Sequence, residues 1–144
     1  MNLRVRKAND QDAEAVYELI CELESTRYPK DRFIELFIKN NKDKNIGYFV
    51  AQMVGQVVGF GSIYINKLLH HCGNVCEIQE LVISRQFHRQ KIGKELLHEL
   101  IKWAEMQGAL QVEVTCNNAR IEAQQFYKAN GFVSTHQKLV YKHA

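Results

Sequence analysis

Residues Glu77–Leu97 read "EIQELVISRQFHRQKIGKELL". An apolar, β-branched run, Leu81–Val82–Ile83, passes through a polar loop rich in basic groups. It then enters an amphipathic helix carrying Ile92, Leu96, Leu97, Leu100, Trp103 and Ala104. A short apolar run followed by helical spacing marks a strand–loop–helix unit. A helix start leaves backbone N–H groups unpaired and carries partial positive charge, so it suits phosphate. Arg85, His88, Arg89, Lys91 and Lys94 surround this one and favour a polyanion such as a pyrophosphate. Yet the loop holds a single glycine, Gly93, where a phosphate cradle usually has two or three. It spells neither G-x-x-x-x-G-K-[ST] nor G-x-G-x-x-G, which argues against a nucleotide hydrolase or a dinucleotide dehydrogenase. From the loop alone, an anion site and a solvated basic turn are equally open readings.

Downstream, Val112, Val114 and Cys116 alternate with polar residues and predict a strand, and Gly108 closes the preceding helix as a left-handed cap. Strand, helix and strand then form a right-handed parallel crossover. "NNARIEAQQFYKANGF" (Asn117–Phe132) predicts a short helix ended by Gly131. A final strand is expected to hold Phe132, Val133, Leu139, Val140 and Tyr141.

Upstream, Leu3 and Val5 alternate with arginines as a first strand, and Asn9 or Asp10 caps a helix carrying Ala13, Val16, Tyr17, Ile20 and Leu23. Pro29 breaks the chain before a shorter helix with Phe33, Leu36 and Phe37. "YFVAQMVGQVVGFGSIYI" (Tyr48–Ile65) predicts two antiparallel strands joined at Val54–Gly55–Gln56. Gly59 and Gly61 in the second suggest a bulge or a close approach to the backbone. The sum is an α/β (α+β) fold: one mixed sheet of six to seven strands with helices on both faces.

The chain has 144 residues and a formal charge of +3, which suits one domain over 1–144 and does not call for nucleic acid. It has no long apolar run and no apolar signal core near the N-terminus, so no membrane span or secretory signal is expected. The expected compartment is the cytosol, with the four cysteines reduced. "HHCGNVC" offers His70, His71, Cys72 and Cys76 as zinc donors, but a structural site usually pairs two separated clusters and no second one appears. No metal is expected.

The order of these elements, with the two quoted segments, resembles the GNAT superfamily of acyl-CoA N-acyltransferases. The family's loop, [Q/R]-x-x-G-x-[G/A], falls on His88, Arg89, Gln90, Lys91, Ile92 and Gly93, where only the last small residue fits. The second signature fits better, through Asn117, Arg120, Ala123, Phe126, Tyr127, Gly131 and Phe132. More narrowly, "AVYELICELE", "LLHH" and "EIQELVI" are similar to the aminoalkylphosphonate N-acetyltransferases.

The resemblance implies a mostly antiparallel sheet with a splayed central parallel pair, and acetyl-CoA as cosubstrate. Its pantetheine arm would lie along Leu81, Val82 and Ile83, and its diphosphate on His88, Arg89, Gln90, Lys91, Ile92, Gly93 and Lys94, with Asn117 a further contact. Lys91 keeps its backbone N–H, although a left-handed conformation costs more there than at glycine.

Tyr127 is implied as the acid for the leaving thiolate, and Glu80 or Glu77 as the base. In a regular strand their spacing puts the two glutamates on opposite faces, and Glu80 is preferred. A backbone N–H near Leu81–Val82 would hold the oxyanion. His70 and His71 would hold the acceptor's anionic group or relay a proton. Arg120 either binds that anion or forms a structural ion pair. Arg27, Lys30 and Arg32 lie near the family's acceptor region and tilt the expectation towards an anionic acceptor.

The expected reaction is direct attack by a small molecule's primary amine, such as an aminoalkylphosphonate's, in a ternary complex. The alternatives are a polyamine, an aminoglycoside or a protein N-terminus as acceptor, or a non-catalytic acyl-CoA sensor. Dimers are frequent in the family, so a homodimer is compatible with the resemblance.

Overall fold

The computed structural model describes residues 2–88 and 91–143. Its elements are β1 (Leu3–Lys7), α1 (Ala13–Glu24), α2 (Lys30–Asn41), β2 (Ile46–Met53), β3 (Gln56–Leu68), β4 (Gly73–Ile83), α3 (Ile92–Met106), β5 (Val112–Val114) and α4 (Ile121–Ala129). The strands form one sheet in the order β1-β2-β3-β4-β5. The first three pairings are antiparallel, and β4–β5 is parallel through the α3 crossover. Val54 and Gly55 both have positive φ, so a two-residue turn joins β2 to β3 with the twist a hairpin prefers.

Apolar residues on alternate strand positions feed two cores. One face packs Val50, Phe60 and Val82 against Val16 and Leu19 of α1 and Phe37 of α2. The other packs Ile63, Cys76 and Ile78 against Leu96, Leu97 and Leu100 of α3. Gly61 belongs to that second contact. A Cβ there would stand 2.9 Å from the Leu100 side chain, so the helix sits this close because glycine leaves the space.

At the start of α1, Asn9 caps the chain by accepting from the Gln11 N–H at 2.9 Å. Buried Asp12 takes both Arg6 guanidinium N–H groups at 2.8 and 2.9 Å, and the Asn9 N–H at 2.8 Å. Burial alone would raise the Asp12 carboxyl, but these donors hold it below the usual carboxylate range. Because its folded pKa is depressed, its contribution is present above the unfolded value and fades as pH falls through the folded one. Arg6 remains partly exposed, so Asp12→Ala is expected to cost about 2 kcal/mol at neutral pH, less than for a fully buried pair. Chemical denaturation at pH 7 and pH 3 checks this, and the cost should shrink at the lower pH.

The sheet has five strands, not six or seven, among the described residues. The expected last strand is absent: residues 133–143 carry no regular structure and make no backbone hydrogen bond among the described residues. Val133, Leu139 and Tyr141 are 80, 90 and 86% exposed. Alternation tells which face a strand would present, but a strand also needs a neighbouring edge to pair with. The parallel pair therefore lies at one side of the sheet rather than its centre. It is splayed as expected. β4 and β5 share three residue pairs, ending at Ile78–Val114, while β4 runs on to Ile83.

Candidate active site

The gap opened by this divergence is a cleft of about 460 Å³. Ile78–Leu81 of β4 form one wall, and Val114–Asn117 another. Ile20, Leu23 and Phe33 close the α1–α2 side, and Ala123 and Tyr127 come from α4. At its lip β4 is irregular. Ser62 pairs with Glu80 but Ile63 pairs with Ile78, so Gln79 is an extra, bulged residue. The bulge overturns the expectation from a regular strand. Glu80 pairs with Ser62 and Glu77 with Tyr64, and these partners share one face of β3, so both glutamates face α1 and α2.

Their surroundings differ. Glu80 lines the cleft, half-buried; the Ser62 hydroxyl donates to its Oε1, and its own N–H donates to Ser62 Oγ at 3.0 Å. Burial raises the Glu80 carboxyl above the ordinary carboxylate value, the Ser62 bond opposes this, and the negative charge of Glu24 adds to it. Glu77 lies outside the lining and accepts from Thr115 Oγ1 at 3.3 Å.

Tyr127 is buried between the rings of Phe126 and Phe132. Its hydroxyl takes no side-chain hydrogen bond among the described residues, yet it is not a sealed orphan, because Tyr127 lines the cleft. Burial, and secondarily the charge of Cys116, holds the phenol well above its ordinary value.

The open edge of β4 leads from this cleft to the start of α3. The Ser84 N–H donates to Val58 O at 2.8 Å, and backbone direction alternates along a strand, so Val82 also faces β3. Leu81 and Ile83 therefore turn their amide groups towards the open side, while Val82 does not. That corrects the expectation that all three could pair with a bound arm. The Ile83 carbonyl is already engaged by His88 Nε2 at 2.8 Å, so this imidazole holds the loop in place.

The first backbone bond of α3 is Glu95 N–H to Lys91 O, and the Ile92, Gly93 and Lys94 N–H groups have no backbone acceptor among the described residues. Ile92 is buried against Ala51, Met53 and Val58, so it can offer a ligand its backbone alone. A Cβ on Gly93 would meet Phe126 and Ile83 at ordinary contact distances of 3.6–3.8 Å, so packing does not demand glycine there. Free N–H groups, a long helix and two lysines fit a diphosphate, and free strand amides fit an amide-bearing arm. Arg89 and Gln90 lie outside the described residues.

A family model described as "Acetyltransferase (GNAT) family" matches residues 13–132. The chain belongs to the GNAT acetyltransferase family. It is 36% identical over 132 residues to an aminoalkylphosphonate N-acetyltransferase of Salmonella typhimurium, covering 92% of this chain and 86% of that protein. Two solved structures share the fold. A transcriptional regulator from Bacillus halodurans has a TM-score of 0.91 at 23% identity, over 99% of this chain and 100% of that one. An aminoglycoside N-acetyltransferase in complex with CoA has a TM-score of 0.88 at 18% identity, over 99% and 95%. This GNAT chain is thus an acyl-CoA-dependent N-acetyltransferase, with acetyl-CoA as its acyl donor.

Other residues singled out in the GNAT sequence lie elsewhere. His70 and His71 stack, with ring centroids 4.5 Å apart, at the tip of the β3–β4 hairpin. Both histidines precede β4, whose extended run from Gly73 to Glu80 spans about 23 Å. They do not line the cleft of their own chain, which corrects their expected place at the acceptor. They do not converge with Cys76 either, whose side chain is buried under α3. Among the described residues no three His, Cys, Asp or Glu side chains gather as a metal site, and no helix is long and apolar enough to cross a membrane.

Arg27 is held bidentately by Glu18 at 2.7 and 3.2 Å, and Lys30 lies 3.7 Å from Glu14. Their charge is spent on the surface of α1. Asn117 lines the cleft, and its Oδ1 accepts the Ala119 N–H at 2.8 Å, which shapes the turn before α4. Arg120 lines the cleft and pairs with Glu24 at 3.2 Å. Glu24, Ser62 and Cys116 were not singled out in the sequence. Ser62 was findable only through its register with Glu80, which depends on the bulge.

Lys91 adopts the left-handed conformation, φ 61°, at the position where the GNAT loop usually has glycine. Lysine and alanine carry the same Cβ cost there, so Lys91→Ala isolates the charge. It is expected to weaken CoA binding about three- to ten-fold, as the loss of one lysine–phosphate contact would. Calorimetry checks this; unchanged or tighter binding would show that Lys91 contributes no charge to the site.

Proposed function

We propose that this GNAT acetyltransferase moves the acetyl group of acetyl-CoA to the primary amine of a small molecule, an aminoalkylphosphonate, by direct attack in a ternary complex. The observation that carries the reading is the half-buried Glu80 carboxylate, held above its usual range in the same cleft as the Tyr127 hydroxyl. Acetyl-CoA supplies an electrophilic thioester carbonyl. Glu80 draws the proton from the incoming ammonium, through water, because an ordinary carboxylate near ~4.3 is too weak for an ammonium near ~10. The Leu81 N–H, free on the open edge, donates to the oxyanion that forms. Tyr127 gives its proton to the departing thiolate. Ser62 keeps Glu80 pointed into the cleft.

The likeness to the Salmonella typhimurium enzyme supports a phosphonate-bearing amine, and Arg120 offers such an anion a partner. Cationic acceptors are the second reading, favoured by Glu24 and Glu80 in the same lining. A screen of aminoalkylphosphonates, polyamines and aminoglycosides with acetyl-CoA, reading thiol release, separates the two. Turnover of the aminoalkylphosphonates above the rest supports the first. Preference for a polyamine or aminoglycoside supports the second. Silence across the panel with CoA still bound would replace both by a non-catalytic sensor.

A further inference from the structure

Glu24 is the last residue of α1, and Arg120 is the residue from which α4 starts. They lie 96 residues apart in the chain and meet across the cleft, Arg120 Nη2 donating to Glu24 Oε2 at 3.2 Å. Both line the same volume as Glu80 and Tyr127. Their side chains are 40 and 41% exposed, and an ion pair this wet contributes little to stability. The fold therefore does not account for a cation and an anion facing each other inside the acceptor space. Arg120 is also the one basic side chain lining the cleft among the described residues. Two nearby cations are paired elsewhere: Arg27 with Glu18 at 2.7 Å, and Arg85, whose Nε lies 3.9 Å from Glu22 Oε1.

We propose that Glu24 is a specificity-determining residue: its carboxylate stands in for the acceptor's anionic group on Arg120, and a zwitterionic amine binds by displacing it. This rests on the amine-acetylating reading above and deepens it. The exchange keeps charges paired. The acceptor's anion takes the Arg120 guanidinium, whose planar fork suits two phosphonate oxygens. The released Glu24 carboxylate then faces the ammonium, beside Glu80, on which its charge already acts. A simple alkylamine leaves the Glu24–Arg120 pair closed and gains none of this. Selection for an amine that carries an anion thus resides in a contact the protein makes with itself when no acceptor is present.

The test is the binding of methylphosphonate, which has the anion and no amine, to the full-length chain by calorimetry or NMR titration. Removing the internal competitor with Glu24→Gln is expected to tighten binding about two- to five-fold, in keeping with the small worth of an exposed pair. Arg120→Gln is expected to weaken it ten-fold or more. The double variant should bind as weakly as Arg120→Gln alone, because the gain runs through Arg120. Equal or weaker binding by Glu24→Gln overturns the proposal, as does a double variant that keeps the gain. No turnover is needed, so a chain that acetylates no amine defeats the functional reading without deciding this one. An active chain whose Glu24→Gln variant gains nothing defeats this one alone.

Discussion

Glu80→Gln is expected to lower kcat/KM for the best amine by about 10²–10³, the usual worth of a positioned general base. The substitution is close to isosteric, and the amide oxygen can still accept from the Ser62 hydroxyl. Fold loss is not expected. Burial raises the Glu80 carboxyl in the folded state, so the group favours folding below its unfolded pKa, and that advantage is lost as pH rises. At neutral pH an ionised Glu80 is a cost that Gln removes, and the variant should unfold at the same temperature as the parent or higher. The pH profile gives the sharper readout. The parent's kcat/KM should climb as Glu80 deprotonates, in a limb displaced upward from the ordinary carboxylate range. The variant should lose that limb and keep the amine's own, near ~10. A variant within three-fold of the parent, or one that keeps the lower limb, would remove Glu80 from the reaction.

The two glutamates also mark how far the sequence could be read. A continuous β-branched apolar run found β4, and the helical spacing after it found α3, because burial on a regular element writes itself into composition and spacing. The bulge at Gln79 wrote nothing. One extra residue in a strand reverses the faces of all that follow, so Glu77 and Glu80, read as opposed, came to the same side. Their separation into a cleft residue and a Thr115 partner depends on where β5 ends, which is a contact and not a pattern.

The histidines fail for a related reason. Nine positions look close in a sequence, but an extended strand turns them into distance, and the hairpin tip lies most of the length of β4 away from Glu80. The tail beyond Gly131 has strand-like alternation and no edge beside it. Lys91, by contrast, was legible. The family pattern marked it as a non-glycine residue at a usual glycine position, where a left-handed backbone costs more, and φ at Lys91 is 61°. Arg120 was readable as either a ligand or half of an ion pair. Its partner, Glu24, was beyond reach at that separation in the chain.

Tyr127→Phe is expected to lower kcat ten-fold or more while leaving acetyl-CoA affinity unchanged. The hydroxyl holds up nothing. It takes no side-chain hydrogen bond among the described residues, and the ring's contacts with Phe126 and Phe132 survive its removal. Burial pushes the phenol well above its ordinary value and makes it a weaker acid. The same cleft receives the departing thiolate, however, and low polarity penalises that anion in the same way. What matters is the difference between the two, and burial moves both upward. The phenol keeps its proton at every working pH, so it is always loaded when the thiolate leaves.

A structural role and an acid role separate on the leaving group. With an acetyl thioester of a more acidic thiol, the departing sulfur needs a proton less, and the defect of Tyr127→Phe should shrink towards parity. A merely structural tyrosine would leave the same defect with both donors. An equal loss on both, or an unchanged kcat with acetyl-CoA, would take the acid role away from Tyr127. The thiolate would then have to draw its proton from Cys116 or from water, since Cys116 lines the same cleft.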